Sequence, residues 1–297
     1  MSNVLDIRKT VLVSNVLDIR KTVLVTGASS GFGRATTLNL ARQGYSVIAV
    51  SRSLARLDEL AGLAQHESLK ISTRTIDISD PESVAKHMPG ILSEVGELDV
   101  LVNNAGYSLR GCWESLTLDE VRCQFETNFL GPLTMAQAVL PHMRERGKGL
   151  IINVGSMAAH VGRPAGGAYA ASKAALASLT KVMRMEVEQF GIQVVLLEPG
   201  KFRTRYNENR VTGTHVSDPQ SPYHTLVQRI RKKRESSRNK QQAGDPVKVA
   251  KTIAQILMAR QPKQRYVIGA DARIWDMAAK FLPDSILELL VKKDSGL

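Results

Sequence analysis

Tyr169 and Lys173 stand four residues apart on an alanine-rich stretch, and Ser156 closes an apolar strand thirteen residues before the tyrosine. On a helix, positions i and i+4 share a face. An ammonium beside a phenol favours the phenolate, so such a tyrosine can give a proton to a substrate oxygen or take one from it. Ser156 can hydrogen-bond the same oxygen. The three residues make a proton-transfer site for a carbonyl or a carbinol, and the hydride must come from elsewhere.

The hydride source is encoded near the start. Thr22-Val23-Leu24-Val25 is a short β-branched run, and Thr26-Gly27-Ala28-Ser29-Ser30-Gly31-Phe32-Gly33 follows it directly. A helical pattern runs from Arg34 to Gln43 and Gly44 closes it. Strand, glycine-rich turn and helix start form the setting of a dinucleotide-binding loop. The glycines allow a tight turn and let a pyrophosphate approach the helix N-terminus, where free N–H groups and the dipole hold it. The spacing is Gly-x-x-x-Gly-x-Gly.

The elements that must position these residues alternate along the chain. Strands are expected at 46–50, 71–76, 98–102, 150–154, 193–197 and 265–269. Helices are expected at 54–64, from Pro81 to near Gly96, 118–146 with Pro132 and Pro141 as kinks, 167–190 and 247–260. Alternation at these lengths predicts a doubly wound parallel sheet covered on both faces, a Rossmann-type α/β single domain with a C-terminal helical extension. Its length of 297 residues suits one such domain over residues 14–297.

Further motifs bring a resemblance into view. Asn103-Asn104-Ala105-Gly106 follows the fourth strand, Asn128 lies on the long helix, and Pro199-Gly200 and Thr204 follow the sixth strand. With the glycine loop, Ser156, Tyr169 and Lys173, these residues resemble the short-chain dehydrogenase/reductase family along most of the chain. The resemblance implies that Asn128, Ser156, Tyr169 and Lys173 are catalytic. It places Gly27, Ser29, Ser30, Gly31, Phe32 and Gly33 at the cofactor phosphates, and Asn104, Ala105 and Gly106 at the adenine-side ribose. Asp77 and Ile78 would contact adenine, Asp77 also being able to cap its loop. Pro199, Gly200 and Thr204 would hold the nicotinamide. Tyr169 and Lys173 would touch its ribose, and Asn128 would hold a water that relays protons from Lys173. No metal site is expected.

Cofactor choice is read at the end of the second strand. NAD enzymes place an acid there for the ribose hydroxyls. Here Ser51 takes that place and Arg52 follows, able to pair with a 2′-phosphate that a carboxylate would repel. NADP(H) is therefore expected over NAD(H), with Arg34 either assisting or merely solvated.

The substrate is expected to be a hydrophobic small molecule, because Tyr107, Leu109, Trp113, Met157, Val161 and Phe202 fall on the loops that should line its site. Asn128-Phe129-Leu130-Gly131 and Leu197-Glu198-Pro199-Gly200 are similar to the steroid- and retinol-dehydrogenase-like branch of the family. The expected activity interconverts a carbonyl and a secondary alcohol. A 3-oxoacyl reductase acting on a carrier-protein or CoA thioester is the alternative, and a non-catalytic redox sensor that binds NADP(H) is the alternative of another class. Residues 201–244 are polar and basic, with Arg229, Arg231, Lys232, Lys233, Arg234, Arg238 and Lys240. A solvated substrate lid is favoured there over a docking patch for an acidic carrier. Nucleic acid is not expected despite the net charge of +12, since no recognition motif accompanies it.

At the C-terminus, Trp275, Met277, Phe281, Leu282, Ile286, Leu289 and Leu290 suggest helices packed on the sheet edge or a neighbouring subunit. A peripheral membrane foot with Lys292 and Lys293 is the other reading. The resemblance implies a homodimer or homotetramer through the helices near 118–146 and 167–190. Cys112 and Cys123 suit a reducing cytoplasm, and no apolar run reaches the roughly 20 residues of a membrane span. Residues 2–13 repeat residues 14–25 letter for letter. Only the second copy runs into the glycine loop, so residues 1–13 are expected to be a dispensable tail.

Overall fold

Aliphatic runs separated by amphipathic stretches force the chain to cross back over the sheet after each strand. The computed structural model describes residues 21–202, 210–238 and 244–297. Its strands are β1 (Thr22–Thr26), β2 (Ser46–Ser51), β3 (Ile71–Thr75), β4 (Val100–Asn103), β5 (Ser108–Arg110), β6 (Gly149–Val154), β7 (Ile192–Pro199), β8 (Arg210–Thr212) and β9 (Arg265–Ile268). Among the described residues, seven of them form a parallel sheet in the order β3-β2-β1-β4-β6-β7-β9. Helices are α1 (Gly31–Arg42), α2 (Leu54–His66), α3 (Pro81–Val95), α4 (Leu118–Phe125), α5 (Gly131–Glu145), α6 (Gly167–Val187), α7 (His224–Arg238), α8 (Val247–Met258), α9 (Ala270–Phe281) and α10 (Asp284–Ser295).

Side chains alternate across each strand, so a central strand needs apolar residues at every position. In β1, Val23 and Val25 join the core on one face with Leu40, Ile253 and Leu257, while Leu24 joins the core on the other with Met88, Met135 and Met143. Strand order reverses between β1 and β4. A crevice therefore opens at the carboxyl ends of those strands, where the glycine loop and the Asn103–Gly106 turn emerge.

The expected long helix over 118–146 is broken. A capping box of Thr117 and Glu120 starts α4, and one π-helical turn, Glu126–Leu130, separates it from α5. Pro132 has no N–H to offer the Asn128 carbonyl, so the α ladder cannot run through this point. Asn103 Nδ2 donates to Pro132 O at 3.1 Å and to Asn153 Oδ1 at 3.0 Å, which fixes the break against the sheet. Pro141 sits inside α5 without ending it.

The terminal segment follows the expectation only in part. It forms two helices around Leu282-Pro283, of which α9 packs on the edge strand β9, but Met277, Phe281 and Leu289 are exposed and do not join that packing. The polar stretch after Pro199-Gly200 contains β8, paired in parallel with β5, and α7. Phe202 and Gly244 form a bridge at the base of this excursion. The duplicated tail, Thr204 and Lys240 lie outside the described residues. Among the described residues, no helix is long and apolar enough to cross a membrane.

Candidate active site

The glycine loop is shaped by close backbone approach. Gly27 has φ +65°, and a Cβ on it would lie 2.8 Å from Ala105 Cα. A Cβ on Gly33 would stand 2.1 Å from Gly27 O, inside any tolerable contact. Gly33 thus lets α1 close onto the loop and does not itself line the crevice. Asn104 Nδ2 donates to Thr26 O at 2.9 Å, and Thr26 Oγ1 accepts from the N–H of Asn104 and of Ala105 at 3.0 Å each. Asn104 therefore pins the loop to β4 as well as facing the crevice.

A cavity of about 1530 Å³ runs through this crevice. Gly27, Ser29, Ser30, Gly31, Phe32, Ser51, Arg52, Asp77, Ile78, Asn104, Ala105 and Gly106 line one end of it. Ser156, Tyr169, Lys173, Pro199 and Gly200 line it further along. Of the residues singled out by sequence, Gly33 and Asn128 lie behind its wall. Ser29 and Ser51 hydroxyls meet at 2.7 Å, joining the glycine loop to the end of β2. Asp77 Oδ1 accepts from Ser79 N and Oγ, while its other oxygen faces Arg52 at 3.6 Å. That pair is largely solvated and weak, so the guanidinium is available to a second anion. Arg56 lines the same end.

At the other end, α6 carries Tyr169 and Lys173 on its inner face. Lys173 is buried and donates to Val154 O at 2.8 Å. Burial pulls the ammonium down to about 8. Arg110 lies over the Tyr169 ring, 5.9 Å from its centroid. Ser156 Oγ accepts the Ala158 N–H at 3.1 Å, capping a 3₁₀ turn, so its own proton is the group that can reach an oxygen in the cavity.

Asn128 is fully buried in the π turn. Its Oδ1 accepts the Tyr107 N–H at 3.1 Å, and its Nδ2 donates to Tyr107 O at 3.0 Å and to Ser172 Oγ at 3.2 Å. A methyl on Gly106 would stand 3.0 Å from Asn128 Oδ1 and 3.6 Å from Lys173 Nζ, so the two side chains flank the same small gap. Burial pushes the Tyr107 phenol up to about 12.

The expected substrate lining is corrected at two positions. Tyr107, Met157, Val161 and Phe202 do face the cavity. Leu109 is 1% exposed in the core, and Trp113 is 59% exposed with its indole over Gly167. Leu109 lies in β5 between buried Ser108 and Arg110, and of the three only Arg110 lines the cavity.

Sequence reasoning missed the charged frame behind this wall. Glu198, fully buried at the end of β7, receives Arg265 and lies 2.8 Å from His160 Nε2. Arg265 also donates to Asp276 at 2.7 Å. The frame ties the turn after Ser156 to β7, β9 and α9. Arg163 pairs with Asp294 and lies 5.1 Å from the Trp275 ring centroid, joining the same turn to α9 and α10. An acid at the end of an otherwise apolar strand was the one signal available.

A doubly wound sheet whose switch-point crevice joins a glycine loop to a serine, a tyrosine and a lysine is the architecture of a nicotinamide-dependent oxidoreductase. The family model described as short chain dehydrogenase matches residues 21–214, and the chain belongs to the short-chain dehydrogenase/reductase family. It is 32% identical over 268 residues to a 3-ketodihydrosphingosine reductase of Bacteroides thetaiotaomicron, covering 90% of this chain and 95% of that protein. It is 31% identical over 280 residues to retinol dehydrogenase 5 of Homo sapiens, covering 90% and 86%. The crystal structure of a short-chain dehydrogenase from Streptomyces avermitilis matches it with a TM-score of 0.78 at 33% identity, over 93% of this chain and 96% of that one.

Proposed function

We propose that this chain is an NADP(H)-dependent reductase or dehydrogenase that interconverts a carbonyl and a secondary alcohol on a hydrophobic small molecule. The observation that carries the reading is one cavity lined both by the glycine loop and by Ser156, Tyr169 and Lys173. The loop fits a dinucleotide because its residues line the cavity at the start of α1, where a helix leaves its first N–H groups without intrahelical partners. Ser51 and Arg52 favour a 2′-phosphate, with Arg56 as a second cation at that end. The cofactor, when bound, supplies or accepts the hydride. Tyr169 gives its proton to the substrate oxygen in the reductive direction. Ser156 donates a hydrogen bond to that oxygen as charge develops on it. Lys173 binds the nicotinamide ribose and supplies positive charge near the phenol. Asn128 holds the Tyr107 backbone and the π turn in place beside Lys173 and anchors a water on the proton route.

Met157, Val161, Phe202, Ile230 and Trp275 give the substrate end apolar surface. The two relatives named above act on 3-ketodihydrosphingosine and on retinol, both long and largely apolar, which supports a similar substrate class here. Arg110, Arg210 and Lys233 line the same end and favour, as a second reading, a 3-oxoacyl thioester with an anionic carrier. Within residues 201–244, the described part that carries β8 and α7 acts as the lid in this reading, entered and left beside the Phe202–Gly244 bridge. Exposed Leu118, Val182, Met185 and Phe190 favour a homodimer or homotetramer through the helices that carry them.

The test is turnover of purified protein with NADPH and with NADH against ketones, steroids, retinoids and acyl thioesters, beside Tyr169→Phe. NADPH should be preferred, and the variant should lose about 10²- to 10⁴-fold in turnover while still binding NADPH. Near-normal turnover in Tyr169→Phe would sink the assignment.

A further inference from the structure

The outer faces of α9 and α10 are apolar and uncovered. Ile274, Met277 and Phe281 recur at helical spacing on α9 and are 67%, 61% and 77% exposed. On α10, Leu289 is 65% exposed, with Ile286 and Leu290 also exposed. The inner faces are already in use. Ala272 and Val291 are buried, and Trp275, Asp294 and Ser295 line the cavity. Apolar side chains clustered in this way on two consecutive surface helices mark an interaction site.

Charge tells what kind of surface fits. Arg273, Lys280, Lys292 and Lys293 are exposed on the same two helices. The end of α10 packs on α7, where a Cβ on Gly296 would lie 3.0 Å from Lys233 Cβ. Arg229, Arg231 and Lys232 on α7 are exposed too and extend the basic border. Asp276 is paired with Arg265 and Lys280, Glu288 with Lys292, and Asp294 with Arg163, and Asp284 is exposed at the start of α10, so Arg273 and Lys293, with Arg229, Arg231 and Lys232 of α7, carry the positive border. Apolar stripes bordered by lysine and arginine match an anionic lipid surface, with acyl chains under the stripes and headgroups at the cations. A second copy of the chain would bring its own basic border against this one.

We propose that the α9–α10 hairpin is a peripheral membrane foot that seats the protein on an anionic bilayer. Because the opposite faces of these helices line the cavity, the foot places the end lined by Trp275, Asp294 and Ser295 next to the lipid surface. This goes beyond the proposed reaction and does not rest on it, since docking is read without turnover.

The experiment is flotation of the full chain with vesicles of phosphatidylcholine plus phosphatidylserine and with phosphatidylcholine alone. The protein should float with the mixed vesicles and weakly or not at all with the neutral ones. The combined variant Met277→Ser, Phe281→Ser and Leu289→Ser should lose at least about tenfold in partitioning. Lys292→Gln with Lys293→Gln should lose about fivefold per charge, only on the mixed vesicles. Both variants should keep wild-type thermal stability and wild-type turnover of a short, water-soluble ketone. No flotation of the parent on either vesicle would overturn the proposal, as would unchanged flotation of the serine variant. A fall in oligomeric mass in the serine variant would reassign the face to self-association. Failure of turnover with intact flotation would strike the reaction and leave the foot standing.

Discussion

The glycine loop at one end of the cavity is shaped by backbone contacts, whereas around Ser156 and Tyr169 the wall is side chains from many separate segments. The glycine loop is one contiguous segment held by exclusion, since Gly27 and Gly33 leave no room for a Cβ, and the ends of β2, β3 and β4 complete its half. The second half draws Tyr107 from the loop after β4, Arg110 from β5, Met157 and Val161 from the turn after β6, Ile230 from α7 and Trp275 from α9. Its shape depends on long-range ties such as His160–Glu198–Arg265. The pyrophosphate is common to NAD and NADP, so the loop suited to it can be backbone, while side chains at the end of β2 are left to tell the two apart. A substrate differs, so its half is built from side chains that can be exchanged without disturbing the sheet.

The sharpest way to break the cofactor half is Gly33→Ala. The new methyl meets backbone on a neighbouring turn, and a well-packed site cannot move it away. A loss of about 3 kcal/mol in stability is expected, along with loss of the thermal shift that NADPH gives the parent. An unchanged shift would mean that the loop is looser than its backbone contacts imply.

Lys173 joins the two halves and is tested by pH. Its folded value of about 8 lies below the roughly 10.4 of an unfolded lysine, so the unfolded chain binds more protons between those values. The burial penalty is therefore full below pH 8 and shrinks as pH rises toward 10. Relative to Lys173→Met, the parent should gain up to about 3 kcal/mol across that window in denaturant unfolding. A flat difference would show that the ammonium is better solvated than its position suggests.

The smallest effect belongs to Trp113→Ala. Its indole rests over Gly167 on the outer surface, away from the cavity. KM for any substrate should change less than about twofold, the ordinary range for a surface substitution. A larger change would place the indole on the substrate's path and redraw the boundary of that half.

Much of this was legible in one dimension. The glycine loop, the Asn103–Gly106 turn and the Tyr169–Lys173 pair are local, and each lies within a few residues of the element that presents it. Strand and helix periods gave the sheet and its order of elements. The illegible parts share one cause: they depend on which residues of distant segments meet. Pro132 marked a break in the long helix, yet only the tie of Asn128 to Tyr107 shows what the break serves. Leu109 and Trp113 looked alike as apolar loop residues until the pairing of β5 with β8 turned one inward and left the other outside.

The sequence by itself determined the class of fold, the candidate proton-transfer residues and the loop suited to a dinucleotide, because these follow from local period, spacing and residue type. Only the tertiary structure decided that Glu198 is a buried anchor, that Asn128 sits behind the wall, and that the last two helices turn apolar faces outward. Burial and charge pairing are properties of neighbours, and the neighbours of a residue are fixed only when the chain has closed on itself.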